Sequence, residues 1–374
     1  MKMNDVMELV LGMSSSERKS LVDQILGMMQ GENVSQKNGC GDVVRGVRGD
    51  RPDCPYCHAE ASKGLIMKSG FNKGGAQRFA CKSCGRIFVA TTNTAFYRSR
   101  KNADVWRKFI ELTIAGRSIA YCSQRCGLAI QTAFTWRHKV LDVLRMNLQK
   151  TQLSGRIEID EMHLPLSYKG NHIKGAVGTR RVRLPGADNG LPRRSYKRGS
   201  DNKPRSSKER ACVFCMVGNS GQSFYGSVPG VGFMLDNMLD ATLAKIVDKE
   251  SSVVLADQYN VTRAYLEKNN YLHMILASNT SDNPNDHKPE VQGEHHLQHV
   301  NAMHRLIRRF LAPYCGVSSK YLENYISLYV WIRSLRAKQE EWNIREATLS
   351  LASAPNSYVT RAQLDARPAI PCCA

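Results

Sequence analysis

Two Cys-x-x-Cys pairs constrain this chain most tightly. CPYCH begins at residue 54 and CKSCG at residue 81, with Gly, Lys and aromatic residues between them. Each pair presents two thiolates from one tight turn, and two such turns close a tetrahedral shell around zinc, with Zn–S distances of about 2.3 Å. Pro55 and Gly85 are residue types that tight turns favour. Cys54, Cys57, Cys81 and Cys84 are therefore the candidate ligands of one structural zinc in a zinc ribbon over residues 51–95. The opening stretch MKMNDVMELVLGM carries Asp5 and Glu8 where a signal peptide stays apolar, and no apolar run reaches the roughly 18 residues that span a bilayer. The sequence thus predicts a cytoplasmic protein without membrane contact. In that reducing compartment its 12 cysteines argue for metal binding rather than a disulfide framework.

With 374 residues the chain has room for two or three domains. Its 42% hydrophobic and 23% charged content excludes disordered, collagen-like and coiled-coil classes. Lys and Arg number 53 against 33 Asp and Glu, a formal charge of +20 and a pI near 9.6. Such a balance fits a polyanionic partner, nucleic acid first.

Periodicity divides the rest into a multidomain α+β chain. Residues 1–50 read as a helical lead-in and linker: Ser14 and Glu17 fit a capping box ahead of Leu21, Val22, Ile25 and Leu26, and 31–50 is Gly-rich. Residues 96–150 read as three short helices broken at Gly116 and Gly127, the pattern of a helix-turn-helix DNA-binding domain. On its last helix Ala133, Trp136, Val140 and Val143 form the inward face. Gln131, Thr135, His138 and Lys139 are left outward, toward base edges and phosphates. From residue 153 the order is three strands, helix, strand, helix, strand, helix, that of a ribonuclease-H-like mixed sheet over 151–345, with 346–374 as a C-terminal tail.

Asp160 lies on the first of these strands and Asp257 at the carboxyl end of the fourth, positions that are neighbours in such a sheet. Two carboxylates meeting there suit a hard divalent cation, magnesium or manganese. Paired ions can activate a water or 3′-hydroxyl and stabilise the leaving oxygen of a phosphodiester. A third ligand is expected from the last helix, VNAMHRLIRRFL. Met303, Leu306, Ile307 and Phe310 form its apolar stripe, and Asn301, His304, Arg305 and Arg308 share the polar one. His304 is the candidate; Glu294 competes, and His295, His296 and His299 read as a polar approach to the helix. Two neighbouring aspartates would raise the His304 imidazole above its ordinary 6.5, so activity is expected to fall below about pH 7. Between the first two strands, residues 169–210 hold thirteen basic residues against three acids, interspersed with Gly, Pro and Ser. This insert, with Arg193, Arg194, Lys197 and Arg198 at its centre, reads as a loop for phosphate contact.

Taken together these segments resemble the bacterial insertion-sequence transposases of the IS fifteen-ninety-five family, whose catalytic domain is called ISXO-like. The matching pieces are CPYCH to CKSCGRIF, TAFTWRHKV, EIDEMHLP, VVLADQY, VNAMHRLIRRF and SSKYLENYISLYVWIR, covering about residues 8 to 340. The resemblance implies a DDE-like transposase that binds the terminal inverted repeats of its element, cuts there, and joins 3′-hydroxyls to target DNA. It would act as a homo-oligomer on double-stranded DNA in the nucleoid. By position Asp160 and Asp257 match the two acids of the motif, Asn301 its asparagine, and His304 its variable third position; Arg305 and Arg308 follow on the same helix as candidate DNA contacts. Two rival expectations are a DNA-binding regulator or domesticated transposase that no longer cuts, and a metal-dependent nuclease without strand transfer.

Overall fold

In the computed structural model, which describes residues 40–148, 152–167, 169, 210–218, 221, 223–276, 291–292, 295–314, 316–337, 344–354 and 358–368, the chain divides into two units. The first runs to Thr92 and takes in Arg98–Trp106; the second holds Asn93–Tyr97 and everything from Arg107. The lead-in helices read before residue 40 lie outside the described residues.

The first unit opens with a helix, α1 (Cys40–Arg48), inside the stretch the sequence reads as linker. Cys40 and Val44 stand one turn apart and are both buried, Arg45 pairs with Asp42, and the Arg48 guanidinium donates to the carbonyls of Ala90 and Asp53. Two apolar residues and tertiary hydrogen bonds hold a helix too short to announce itself by period. An antiparallel sheet follows, β1 (Ile66–Phe71), β2 (Gln77–Cys81) and β3 (Ile87–Val89), in that order. Ile66, Phe79 and Phe88 are its buried centre, the two rings 5.7 Å apart.

The helices α2 (Ala103–Ile114), α3 (Ile119–Cys126) and α4 (Ile130–Leu148) come next. Gly116 and Gly127 adopt left-handed φ of 72° and 57° at the breaks, and the Ser118 side chain accepts from the Tyr121 N–H to cap α3.

The five-stranded sheet of the second unit has the order β6-β5-β4-β7-β8. Its strands are β4 (Leu153–Pro165), β5 (Arg210–Gly218), β6 (Ser223–Val231), β7 (Val247–Ala256) and β8 (His273–Ile275). β4, β5 and β6 pair antiparallel, with Asp160 opposite Cys215, while β7 runs parallel to β4 and β8 parallel to β7. The parallel pairs are reached through α5 (Asp236–Ile246) and α6 (Asn260–Lys268). After a two-residue pairing of β9 (Val291–Gln292) with β10 (His295–His296), α7 (Gln298–Leu311) packs on β4 and β5, and α8 (Leu322–Ala337) packs on β6 and α4. The close approach of α8 needs Gly226: a Cβ there would lie 2.8 Å from Ile326.

Residues from 346, read as a tail, are part of the fold. α9 (Ile344–Ala352) packs Leu351 against, and α10 (Arg361–Asp365) buries Leu364 in, a core with Leu141, Leu144, Tyr325 and Leu328 of α4 and α8.

Candidate metal and catalytic sites

The four cysteines converge. The sulfurs of Cys54 and Cys84 lie 3.7 Å apart, those of Cys57 and Cys81 3.6 Å apart, and all four fall within 4.8 Å of one another. Tetrahedral Zn–S bonds of about 2.3 Å require sulfur–sulfur edges of about 3.8 Å, so the quartet fits a metal such as zinc. The two turns are built alike. His58 N–H donates to Cys54 O and Gly85 N–H to Cys81 O, while Cys54 N–H donates to Ala59 O and Cys81 N–H to Arg86 O. His58 and Gly85, each following the second cysteine of its pair, are left-handed at φ 57° and 70°. Gly85 is the residue type that conformation favours; His58 carries no such signal in sequence. The backbone N–H of Ala59 lowers the Cys57 thiol to about 7, toward the thiolate that a metal binds.

The sheet brings Asp160 and His304 together. His304 Nδ1 lies 3.6 Å from Asp160 Oδ2, and Asp160 Oδ1 accepts from the Glu161 N–H at 2.8 Å. His304 is buried, on the same side of α7 as Met303 and Ile307, rather than on the exposed stripe of Asn301, Arg305 and Arg308 where the sequence reading put it. Burial, with Arg308 adding to it, lowers its imidazole to about 4. The expected upward shift is reversed, because desolvation of the cation outweighs the one raising contact, a hydrogen bond to the Asp160 backbone, and His304 is neutral well below pH 7. Its Nε2 is buried with no hydrogen-bond partner, an orphaned acceptor or donor beside Asp160.

Asp257 follows the last residue of β7. Leu255 is level with Glu158, so Asp257 stands at the level of Asp160 on the neighbouring strand. Its Oδ1 accepts from the Tyr259 N–H at 3.1 Å, at the start of α6. Its charge is felt by Glu161, a residue the sequence reading passed over. Burial and then the Asp257 charge raise the Glu161 carboxyl to about 7, and both acids raise the Tyr259 phenol after burial. Strand alternation sets Glu161 on the face opposite Asp160, so the acids approach the end of β7 from both faces of β4. Among the described residues, the ligand atoms of Asp160, Asp257 and His304 do not all come within 4.8 Å of one another. Glu294 and residues 193, 194, 197 and 198 lie outside the described residues.

The outward face expected of α4 is largely inward. His138 is 1% exposed, its ring 4.1 Å from that of Tyr321, with Asn324 donating to its Nδ1. Lys139 is buried over the Tyr358 ring at 4.5 Å, and burial lowers its ammonium to about 8. Gln131 is exposed but accepts from Arg361, and the Thr135 hydroxyl donates back to Gln131 O. The correction has one cause: α8 and the helices after it cover the side of α4 that periodicity alone leaves open. Asp142, also buried there, takes both oxygens to Arg367 at 2.6 and 2.7 Å.

A pH effect follows. Burial, and then Arg367, Arg137 and Arg361, push the His138 imidazole well below its ordinary 6.5. The unfolded chain then binds more protons than the folded one as pH falls below about 6.5, so folding stability drops in that direction. His138→Phe should make that drop shallower, measured as urea midpoint against pH from 7 to 5.

No family model matches the sequence, and no curated protein matches it. Among the described residues no helix is long and apolar enough to cross a membrane.

Proposed function

We propose that the chain is a metal-dependent DNA transposase of ribonuclease-H-like architecture that cuts at the ends of its element and joins them to target DNA. The observation that carries this reading is the β6-β5-β4-β7-β8 order, with Asp160 and Asp257 level on adjacent parallel strands and His304 of the covering helix 3.6 Å from Asp160. Sequential strands β4 to β6 in antiparallel pairing, then two parallel crossovers on the other side of β4, are the arrangement expected of a ribonuclease-H-like domain.

Oxygen donors from two aspartates, with a neutral imidazole beside Asp160, are a donor set suited to magnesium or manganese, and the His304 Nε2 is buried there without a hydrogen-bond partner. When bound, the cation would lower the pKa of an attacking water or 3′-hydroxyl and neutralise charge on the phosphate. Asp160 and Asp257 would hold it, their Oδ1 atoms already fixed by the N–H groups of Glu161 and Tyr259. Glu161, with a carboxyl near 7, is able to take or return a proton close to Asp257 at neutral pH.

DNA affinity comes from charge more than from α4. Arg305 and Arg308 are exposed on α7, and the Arg308 charge acts on both His304 and His163, which sets it near the acids. They and the basic insert would track the phosphate backbone, and the four-cysteine unit, as a zinc ribbon, would add to end recognition. A regulator that only binds DNA has no use for acids beside a phosphate path. The test is to look for short inverted repeats flanking the gene and to offer the protein DNA that carries them. Purified protein with magnesium should nick at the repeat ends and leave 3′-hydroxyls, and EDTA should stop it. Tight end binding without cutting would favour the regulator.

A further inference from the structure

We propose that Glu158, His296 and His299 form a binding site for one divalent transition-metal ion of zinc's class, separate from the cysteine quartet and from the Asp160–Asp257 pair. The three offer one ligand atom each, all within 4.8 Å of one another. Glu158 Oε1 lies 2.6 Å from His299 Nδ1 and 3.4 Å from His296 Nδ1. Two imidazoles and one carboxylate are the donor set of zinc sites that keep a fourth position for water. With metal–ligand bonds of about 2.0–2.1 Å, tetrahedral edges are about 3.3 Å, so His296 already stands at ligand spacing. The His299 contact is a short charge-assisted hydrogen bond; a metal takes the place of its proton once the pair opens by about 0.7 Å.

The other carboxylate oxygen is fixed. Glu158 Oε2 accepts from the backbone N–H groups of His299 and Val300 at 2.9 and 3.1 Å, which orients the carboxylate and leaves Oε1 for the histidines. A helix cap needs only that first oxygen. It gives no reason for two imidazoles to turn the same nitrogen toward the second, and convergence on Oε1 is what points to a cation. The Glu158 side chain is 7% exposed, while those of His296 and His299 are 25% and 36% exposed, so the acid is held inside and the entry path is on the histidine side. The ring of His299 is backed by the chain at Gly221, where a Cβ would lie 2.8 Å from its Cδ2. His296 Nδ1 also accepts from the Gln298 N–H, at 3.4 Å, a contact long enough to yield to a metal bond. The ion would join β4, β10 and the first turn of α7, clamping the helix that bears His304 onto the strand that bears Asp160.

The test uses full-length protein stripped of metal and titrated with Co²⁺, then analysed for zinc after dialysis against micromolar ZnCl₂. The first equivalent of cobalt should give the intense thiolate charge-transfer band of the cysteine quartet. A second should add only weak ligand-field absorption, and wild type should retain two zinc ions per chain. His296→Ala should retain one and keep the thiolate band, with affinity at the second site weakened by at least about 100-fold, the upper end of what losing even an outer partner costs. His296→Gln, which keeps a polar side chain of similar reach, should behave the same and serves if the alanine variant does not fold. Saturation of the wild type by a single ion beyond its thiolate band, a second ion bound through thiolates, or a second ion retained by both variants would each overturn the site.

Discussion

Asp160→Asn and Asp257→Asn should each lower cleavage and joining at least about a thousand-fold while leaving binding to the element ends within a few-fold of wild type. Losing one oxygen anion from a magnesium site removes several kcal/mol of charge stabilisation in the transition state, and each 1.36 kcal/mol is a factor of ten in rate. Asn keeps the Oδ1 that accepts from Glu161 N–H in one case and from Tyr259 N–H in the other, so neither change disturbs the local backbone. The two variants differ in a way that separates charge from folding. Burial and the charge of Asp257 raise the Glu161 carboxyl to about 7, so Asp257→Asn should bring it down toward the ordinary carboxylate range. Isotope-edited infrared or carboxyl NMR titration of Glu161 reads that shift without any assay of activity.

The second large effect lies in the first unit. Cys81→Ser, or chelation of zinc, should unfold the three-stranded sheet there. Its buried centre is little more than Ile66, Phe79 and Phe88, too small to stand alone, and in small domains of this kind metal binding contributes about 10–16 kcal/mol, which is folding free energy. The second unit carries its own core of Ile157, Ile159, Phe214, Val254 and Leu255, and should stay folded. Limited proteolysis with mass mapping checks both: cleavage should appear between residues 54 and 89 on loss of metal, with the strands of the five-stranded sheet still protected. A ribbon that resists protease after chelation would remove the metal from the account.

What the sequence made legible was whatever repeats at short range. The cysteine pairs are local turns with fixed spacing, and Ile157 and Ile159 share one face of β4 by strand alternation, both buried. Gly116, Ser118 and Gly127 mark helix ends through their own backbone preferences. The order of strands and helices was readable for the same reason, and it placed Asp160 and Asp257 at one level of the sheet. Long-range packing was not readable. His138 and Lys139 look like the outer face of α4 until α8 and Tyr358 are set against them. His304 looks polar by stripe and is buried by the strand beneath it, which turns an expected rise in its pKa into a fall. Glu161 gave no signal of its own: strand alternation turns it from the face of Asp160, and only the end of β7 brings the charge of Asp257 to it. The histidines around α7 read as solvated polarity because their partner, Glu158, lies some 140 positions earlier in the chain.

The most direct measurement of the central claim is a joining assay with pre-cut ends. A labelled duplex ending in the element's inverted repeat, with a free 3′-hydroxyl, is incubated with supercoiled plasmid, magnesium and either wild type or Asp160→Asn. Label should be covalently joined to plasmid by the wild type only, with bound complex formed by both. Equal joining by Asp160→Asn, or wild-type protein that binds the ends with magnesium present yet yields no joined product, would contradict it.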